Sequence, residues 1–465
     1  MELPPTMRWL ALLAALEQGL LERQAAVRLL LLAALAGEHV LLIGPPGTAK
    51  SELARRLHRA IGSAGYFERL LTRFSTPEEL FGPLSLKSLE DDRYERLTTG
   101  YLPTAGIAFL DEVFKANSAI LNALLTLLNE REFDNGSGRV RTPLVSVVGA
   151  SNELPADESL QAFFDRFLLR VPVAPVSDAS FAQLLDLDDA PADAVPPLGE
   201  GERAAVKRAA PSASLGAEAL AACRQLRAWL AERRLPVSDR RWRQWVALMR
   251  VAAASEGRVE VDALDLWLAP YVAGATPQDM AALEAWFAGE LIGAVAQDAP
   301  WLTRAVEAFE QQLQIESSAR DDPDAANTAG KLALARSIGK GSLGPDDGGM
   351  LRIVSSALEE QLRRRYSRVH IEARVAQIDE LVARVDAHRA GVQQQRDALA
   401  RQLAGRVWLP PALAAGLIEA HDATLAMLDE RRARLLVSRE GFAALPLDPQ
   451  LPAVVPPPVK IEALA

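Results

Sequence analysis

The octapeptide GPPGTAKS contains the residues of this sequence whose types and spacing best suit chemistry. It follows the apolar run Val40–Ile43 and precedes the helix-prone stretch ELARRLHRAI, so we expect a strand, a glycine-rich turn and a helix. Backbone N–H groups and the positive end of the helix dipole hold phosphates in such a turn. A merely structural turn is the alternative, but nucleotide binding is favoured. The residues assigned to this phosphate loop are Gly44, Pro45, Pro46, Gly47, Thr48, Ala49, Lys50 and Ser51.

Three positions of the loop carry specific expectations. Lys50 is placed for the β- and γ-phosphates of a nucleotide, and Ser51 for Mg²⁺. Ala49 departs from the usual G-x-x-x-x-G-K-[ST], which has a second glycine there. Alanine accepts the φ of a first helical turn but resists a left-handed φ. The loop is therefore expected to work with Ala49 already in a helical conformation.

A carboxylate pair follows the next apolar run, in IAFLDEV. The carboxyl end of a buried parallel strand is where ligands bind. Asp111 would hold Mg²⁺ through its water shell, and Glu112 would orient and activate the attacking water of a phosphoryl transfer. A buried strand followed by a solvated acidic turn is the alternative. The upstream loop favours the functional interpretation.

Further candidates follow the later strands. Asn152 comes after a buried run, where its amide can meet the γ-phosphate or the water; an Asx-turn is the alternative. In FFDRFLLRV, Arg166 and Arg170 flank a strand-like FLL, and a guanidinium suits developing phosphate charge, even when a neighbouring subunit supplies it. In VSDRRW, a helix begins with Arg240 and Arg241 in its first turn, and one of them could reach back to the phosphates. The choice between these two stays open.

The pattern of apolar runs predicts the elements that position these residues. Strands at Val40–Ile43, Ile107–Leu110 and Leu144–Ala150 alternate with helices and indicate a parallel sheet covered on both faces. The helices before and between them are expected over Leu10–Ala36, over Ser51–Ile61 and up to Asn129. Two hairpin-like insertions, Phe81–Tyr101 and Arg131–Pro143, interrupt the alternation.

The remainder of the chain is predicted to be helical. An acidic, Pro-rich linker at Asp186–Glu202 precedes helices from about Leu215 to Pro270. Apolar residues then recur every seven positions from Ile371 to Leu399, which is typical of a coiled-coil-like seam. Pro410-Pro411 ends that helix, and Ala412–Ser438 is expected to pack back on it. We predict three domains, at residues 1–190, 191–275 and 276–465, with a short polar insertion at 317–349 and a Pro-rich, extended tail after Leu445.

Composition narrows the classes of protein. The 465 residues carry a formal net charge of −10, which argues against a nucleic-acid partner held by phosphate contacts. One cysteine, Cys223, allows no intramolecular disulfide and suits a cytoplasmic location. Five histidines without paired spacing give no zinc motif, and no apolar stretch is long enough to span a membrane.

The order of these motifs resembles that of the AAA+ ATPases and, within them, the MoxR family. The matching segments are GPPGTAKS with its alanine, RFSTPEELFGPLS, GYLPTAGIAFLDEVFKA, LLTLLNEREF, ASNELP and DRFLLR. The resemblance is strong over about residues 15–175 and moderate to about 275. SDRRW and the helical C-terminal half are similar, less specifically, to the regulatory ATPase variant A branch.

The resemblance implies an α/β P-loop core, a helical lid and a helical C-terminal region, with ATP and Mg²⁺ as cofactors. By it, Glu112 is the catalytic carboxylate, Asn152 the first sensor, Arg166 the trans-acting arginine finger and Arg240 the second sensor. It further implies hexameric rings whose pore faces the two insertions, and chaperone-like remodelling beside a von Willebrand A-type protein. The branch's lysine decarboxylase partnership is doubtful, because residues 317–349 are short and polar for the module that binds it.

Two other functions remain open at this stage. The chain could be a nucleotide-gated binding scaffold with incidental turnover, although Glu112 favours hydrolysis. It could less readily be a DNA-acting motor, because the hairpin tip at Asp134–Arg139 carries only Arg139 and the chain is acidic.

Overall fold

The computed structural model describes residues 5–62, 65–136, 138–155, 160–187, 197–294, 299–318 and 365–461. Contacts divide the chain into two compact units. The first comprises Met1–Ala294 and Gln402–Leu417, and the second comprises Val295–Arg401 and Ile418–Ala465. The three-domain division stays a prediction, and most of the predicted insertion at 317–349 lies outside the described residues.

The first unit contains a five-stranded parallel sheet in the order β2-β3-β6-β1-β7, which confirms the predicted fold class. The strands in chain order are β1 Val40–Ile43, β2 Tyr66–Leu70, β3 Ile107–Asp111, β4 Glu132–Asp134, β5 Arg139–Arg141, β6 Ser146–Ser151, β7 Leu169–Pro172, β8 Ser214–Leu215 and β9 Glu260–Val261. The central strands β1, β3 and β6 are almost wholly buried, as expected where helices cover both faces. The sequence did not predict β2, an edge strand of which only Phe67 is buried.

Helices surround this sheet and continue through the later described residues. Up to residue 317 they are α1 Pro5–Glu17, α2 Gln24–Ala36, α3 Lys50–Ile61, α4 Pro77–Phe81, α5 Leu86–Glu90, α6 Ser118–Glu130, α7 Gln161–Phe164, α8 Asp178–Leu185, α9 Glu200–Ala209, α10 Ala217–Glu232, α11 Asp239–Ser255, α12 Ala269–Ala273, α13 Pro277–Trp286 and α14 Pro300–Ser317. They are followed by α15 Arg368–Leu403 and α16 Pro411–Ala443.

The single helix predicted over Leu10–Ala36 is wrong, because the chain forms two helices there. Between them, Gly19 has a φ of 69° and Glu22 a φ of 56°, and neither value continues a right-handed helix. Residues 18–23 form the connection between the two helices, and Arg23 in this connection donates to the carbonyl of Thr48. The buried second helix, α2, has ten consecutive buried residues and packs beneath the sheet.

One of the two predicted insertions is confirmed as a hairpin. Residues 131–143 contain β4 and β5, which pair antiparallel through Phe133 and Val140. The other insertion, Phe81–Tyr101, is not a hairpin: it contains the short helix α5 and one isolated bridge, Leu84 to Arg96. Ser85 caps α5 by accepting a hydrogen bond from the N–H of Ser88, which favours a helical turn over a strand at this point.

The helices after the sheet form the predicted helical region. Trp245 is fully buried in α11, and its ring stacks on that of Trp242 with a centroid separation of 5.0 Å. Residues 402–417 also belong to the first unit: Trp408 donates from Nε1 to Ser255 Oγ at 2.8 Å, and Arg406 forms an ion pair with Asp265 at 3.0 Å.

The second unit contains the predicted helical hairpin. The seven-residue seam is confirmed, since Ile378, Val385 and Val392 are buried. Four ion pairs join the two long helices in antiparallel register: Asp379–Arg439, Asp386–Arg432, Arg389–Asp429 and Arg396–Asp422. Tail residues 452–461 have no helix or strand. Among the described residues, no helix is both long and apolar enough to cross a membrane.

Candidate functional site

The phosphate loop lies between the carboxyl end of β1 and the start of α3, as its sequence predicts. Gly44 donates from its N–H to Ser151 O at 3.0 Å, which fixes the loop to β6. A Cβ atom on Gly44 would lie 2.1 Å from Val173 O, so a side chain cannot fit there. Gly47 is required for another reason: its φ of 81° is left-handed, a conformation that glycine adopts without strain.

Ala49 differs from the prediction. Its φ of 66° and ψ of 24° are left-handed, whereas we expected a helical residue. This conformation costs a residue with a side chain about 1–2 kcal/mol. Such strain persists where the surroundings over-determine the backbone, and it concentrates at functional sites. The loop therefore has the geometry of a glycine at this position but carries an alanine.

The loop presents unsatisfied hydrogen-bond donors. Within the described part of the chain, the backbone N–H groups of residues 47–52 have no acceptor. The last of these residues open α3, so the positive end of its dipole adds to the same field. Buried polar groups normally find partners, and a row of free donors at a helix N-terminus suits an anion. The loop thus fits the phosphates of a nucleotide.

Lys50 lies among these donors with its side chain directed back along the loop. It is 7% exposed, and Nζ donates to Gly44 O at 2.6 Å, to Pro45 O at 2.8 Å and to Asn152 Oδ1 at 3.1 Å. Burial lowers the pKa of Lys50, and the nearby carboxylates of Asp111 and Glu112 oppose this shift. The ammonium group is therefore held next to both predicted carboxylates.

The carboxylates stand at the end of β3, as predicted. Asp111 is the last residue of the strand, and its Oδ1 accepts the N–H of Glu112 at 3.0 Å. Glu112 has a left-handed φ of 51°, which turns its side chain away from the strand direction. Its carboxylate accepts a hydrogen bond from Asn152 Nδ2 and pairs with Lys115 at 3.3 Å. Four predicted residues, Lys50, Asp111, Glu112 and Asn152, are thus brought together.

The residues present fit a magnesium ion bound together with a nucleotide. Among the described residues, no group of three or more His, Cys, Asp or Glu side chains could hold a metal by itself. Mg²⁺ takes few protein ligands and completes its shell with water and phosphate oxygens. Ser51 in the first turn of α3 would supply a hydroxyl oxygen and Asp111 a carboxylate oxygen.

Arg166 lies at the opposite end of the sheet from the loop. It precedes β7, which runs parallel to β1, so it stands near the amino ends of the strands. Its buried Nε has no hydrogen-bond partner in the described structure. Burial lowers the pKa of the guanidinium, and the positive charge of Arg240 lowers it further. Among the described residues, Arg166 is thus a partly buried cation whose Nε has no acceptor, with the carboxylate of Asp165 as a nearby opposite charge.

Arg240 lies near Arg166 and does not reach the loop of its own chain, contrary to the expectation. Its Nη2 donates to Asn129 Oδ1 at 2.9 Å, and its charge acts on Glu38, two residues before β1 begins. The four residues of β1, at ~3.3 Å each, separate this end from the loop by about 13 Å. A role for Arg240 as second sensor stays a prediction and requires the loop of another subunit.

Arg241 has a structural role instead. It is 3% exposed, and its guanidinium is saturated by hydrogen bonds between 2.7 and 3.4 Å. Its acceptors are Val272 O, Leu168 O, Phe167 O and Asp165 O and Oδ1. Arg241 thereby fastens α11 to the segment before β7. Of the two arginines in SDRRW, Arg240 is the one with an exposed hydrogen bond.

Sequence reasoning missed Arg23, which contacts the loop from behind. It lies between α1 and α2, is 6% exposed, and donates from Nε to Thr48 O at 3.3 Å. Its Nη2 donates to Ala174 O at 2.7 Å. Both acceptors are backbone carbonyls, so no side-chain pattern marks them. Gly19 within the predicted Leu10–Ala36 helix is the sequence signal that could have marked a break near Arg23.

Two segments of the chain match known protein families. Residues 8–191 match the family model of the MoxR domain in MoxR–vWA–β-propeller ternary systems, and residues 218–287 match that of an AAA lid domain. Residues 8–191 are therefore similar to a MoxR domain, and residues 218–287 to an AAA lid domain. The MoxR domain includes the phosphate loop, both carboxylates, Asn152 and Arg166. The lid model includes Arg240.

The curated relatives are similar over the MoxR domain. Two uncharacterized proteins of Methanocaldococcus jannaschii are each 54% identical over 171 residues, which is 36% of this chain and 46% and 45% of theirs. Protein MoxR of Paracoccus denitrificans is 32% identical over 181 residues, 36% of this chain and 52% of that one. The match thus spans about half the length of these relatives. A crystal structure of a putative ATPase from Cytophaga hutchinsonii aligns with 60% of this chain and with 86% of the Cytophaga chain. The sequence identity is 15% and the TM-score is 0.46.

Proposed function

We propose that this chain is an ATP-hydrolysing MoxR-type AAA+ protein that acts on another protein. One observation carries the proposal. The free N–H donors of residues 47–52 lie beside three side chains that are joined by hydrogen bonds, those of Lys50, Asn152 and Glu112. Donors alone would bind a nucleotide. A carboxylate held by an amide at the same place adds what hydrolysis needs.

Each group has a distinct task in this proposal. The loop N–H groups and Lys50 bind and orient the phosphates, since phosphoryl transfer depends on positioning and charge stabilisation. Glu112 accepts the proton of the attacking water, and Asn152 fixes its carboxylate through Nδ2. Ser51 and Asp111 would hold Mg²⁺, which neutralises charge on the phosphates when bound. Lys50 must give up its contacts with the loop carbonyls to meet the ligand.

Glu112→Gln tests hydrolysis separately from binding. Glutamine keeps the hydrogen bond to Asn152 but cannot take a proton, so turnover should fall by ~10²-fold or more while nucleotide affinity stays within about threefold. Phosphate release and nucleotide titration measure the two quantities. Glu232→Gln, at a side chain that is 76% exposed, is the matched control and should change neither. Unchanged turnover in Glu112→Gln would refute the catalytic role.

The partners are part of the same proposal. The description of the matching family, which names MoxR–vWA–β-propeller systems, supports a von Willebrand A-type partner. Arg166, whose Nε has no acceptor in the described part of the chain, supports assembly into a ring, for which a hexamer is the family's form. We place the chain near the regulatory ATPase variant A branch on its SDRRW motif and helical C-terminal region. We do not propose its lysine decarboxylase partnership, since most of residues 317–349 lie outside the described structure.

The Glu112→Gln protein also distinguishes a remodeller from a nucleotide-gated scaffold. It should capture its partner and substrate with ATP bound and fail to activate them. If activation of the partner survives without turnover, the chain acts as a scaffold. The readout is the partner's activity in the presence of each variant and ATP.

A further inference from the structure

Arg23 joins three separate parts of the first unit. It stands in the connection between α1 and α2 and is a buried residue, with 6% of its surface exposed. One nitrogen donates to the carbonyl of Thr48 in the phosphate loop, and another donates to the carbonyl of Ala174 just after β7. Because β7 pairs with β1, the guanidinium ties the loop to the sheet from which it departs.

The Thr48 carbonyl shares a peptide unit with the N–H of Ala49. A trans peptide is planar, so its C=O and N–H point in opposite directions. Whatever holds the oxygen on one side therefore aims the hydrogen to the other side. The Ala49 N–H is one of the donors without an acceptor in the described structure. Arg23 thus fixes the direction of a donor that it does not touch.

This peptide also needs to be held. Ala49 has a left-handed φ of 66°, which an alanine avoids unless its surroundings impose it. Rotation of the Thr48–Ala49 peptide would relieve that strain and turn the N–H away from the ligand. A hydrogen bond from a charged, buried guanidinium to the Thr48 oxygen opposes the rotation.

We propose that Arg23 is a positioning residue of the phosphate loop, which holds the strained Thr48–Ala49 peptide with its N–H directed at the nucleotide phosphates. The proposal rests on the proposed function only in that the loop binds a nucleotide. Glycine adopts a left-handed φ without strain, so a loop with glycine at position 49 would depend less on the hydrogen bond from Arg23. Arg23 and Ala49 should therefore be energetically coupled.

A double-mutant cycle in the full chain tests this coupling. The dissociation constant of a fluorescent ADP analogue is measured for the unmodified protein, Arg23→Ala, Ala49→Gly and the double variant. Arg23→Ala should raise the constant about tenfold, as expected for a lost charged hydrogen bond. In the Ala49→Gly background the same change should raise it by about threefold or less, because glycine is left-handed without strain. Arg23→Lys, which has one nitrogen in place of the two that donate to Thr48 and Ala174, should be intermediate.

Arg131→Ala provides the matched control. Arg131 also donates to two backbone carbonyls, those of Gly37 and Leu144, which precede the parallel strands β1 and β6 and so lie at the end of the sheet opposite the loop. It should lower the thermal stability as Arg23→Ala does and leave the affinity for the ADP analogue unchanged. An equal loss of affinity in Arg131→Ala would reduce Arg23 to a merely structural residue and overturn the proposal.

The possible outcomes separate this inference from the proposed function. If the unmodified chain does not bind the ADP analogue, nucleotide binding itself is refuted. If it binds and Arg23→Ala binds equally well, only the role of Arg23 is refuted. Equal losses in the alanine and glycine backgrounds would also overturn it, since Arg23 would then not act through the strained peptide.

Discussion

At the residue scale, the site is held closed by its own side chains. Lys50 is bonded to two loop carbonyls and to Asn152, and Asn152 is bonded to Glu112. Asn152 therefore links the cation that would meet the phosphates to the carboxylate that would meet the water. Its amide has one acceptor for Lys50 and one donor for Glu112, whereas an ionised carboxylate has no donor for Glu112.

Asn152→Asp is expected to lower turnover by tenfold or more. The new carboxylate would replace a donor to Glu112 with a like charge, which raises the pKa of one of the two carboxyl groups. It would also pair more strongly with Lys50 and compete with the phosphates. Phosphate release measured against pH checks the effect: the activity should shift toward higher pH as well as fall. An unchanged pH profile would show that Asn152 does not act on Glu112.

Residue types and spacing predicted the four side chains that meet at the site, because each follows an apolar strand or a glycine-rich turn. The conformation of Ala49 could not be predicted in the same way. Its left-handed φ is imposed by the path of the loop and opposes the preference of alanine itself. Arg23 was missed because its partners are carbonyl groups, which every residue carries.

At the element scale, one contact between α11 and the start of β1 has a titratable group. Gln244 donates from Nε2 to Glu38 Oε2 at 2.9 Å. Burial raises the pKa of Glu38 from 4.5 to about 7, although the charges of Arg131 and Arg240 oppose the shift. The carboxyl group is thus partly protonated near neutral pH. The folded chain binds a proton here that the unfolded chain has already released.

Glu38→Gln should remove a pH dependence of stability. With a pKa raised in the folded state, the contribution of Glu38 is fully present below pH 4.5 and is lost as pH rises through about 7. Glutamine, which does not titrate, should therefore stabilise the protein at pH 8 by up to about 3 kcal/mol and change little at pH 5. Urea unfolding at both pH values measures this. Equal effects at the two values would contradict the prediction.

Elements with a strong local pattern were predicted well. β1 has the bounds expected from its apolar run, and the second long helix begins at the proline pair. The break between α1 and α2 was not predicted, since the apolar pattern continues through it and tertiary contacts decide it. The Phe81–Tyr101 insertion was predicted as a hairpin. It instead contains a short helix, which Ser85 caps.

At the scale of the whole molecule, the two groups of site residues lie at opposite ends of one sheet. The loop and carboxylates follow the carboxyl ends of the strands, whereas Arg166 and Arg240 stand at the amino ends. In the described structure, Arg166 and Arg240 therefore do not reach the phosphate loop of their own chain. The resemblance had implied a role in trans for Arg166, whereas the position of Arg240 at the same end of the sheet was not predicted.

Mixing two inactive variants tests whether subunits share sites. Arg166→Ala and Lys50→Ala should each be inactive alone, since one lacks the arginine and the other the loop lysine. In an equal mixture of rings that exchange subunits, about a quarter of the sites combine an intact loop with an intact arginine. ATP hydrolysis should recover to a corresponding fraction of the unmodified activity. Absence of recovery in verified mixed rings would show that Arg166 does not act across subunits.

The separation of the loop and the arginines also gives each chain two different ends. The loop is at the head, and Arg166 and Arg240 are at the tail. A contact that joins head to tail repeats indefinitely until the series closes on itself. An open series of n chains contains n − 1 complete sites, and one loop and one arginine pair remain idle at its ends. Closure supplies the last site without adding a chain. Hydrolysis per chain should thus rise with concentration and level off once rings form, so the count of working sites reports the state of assembly.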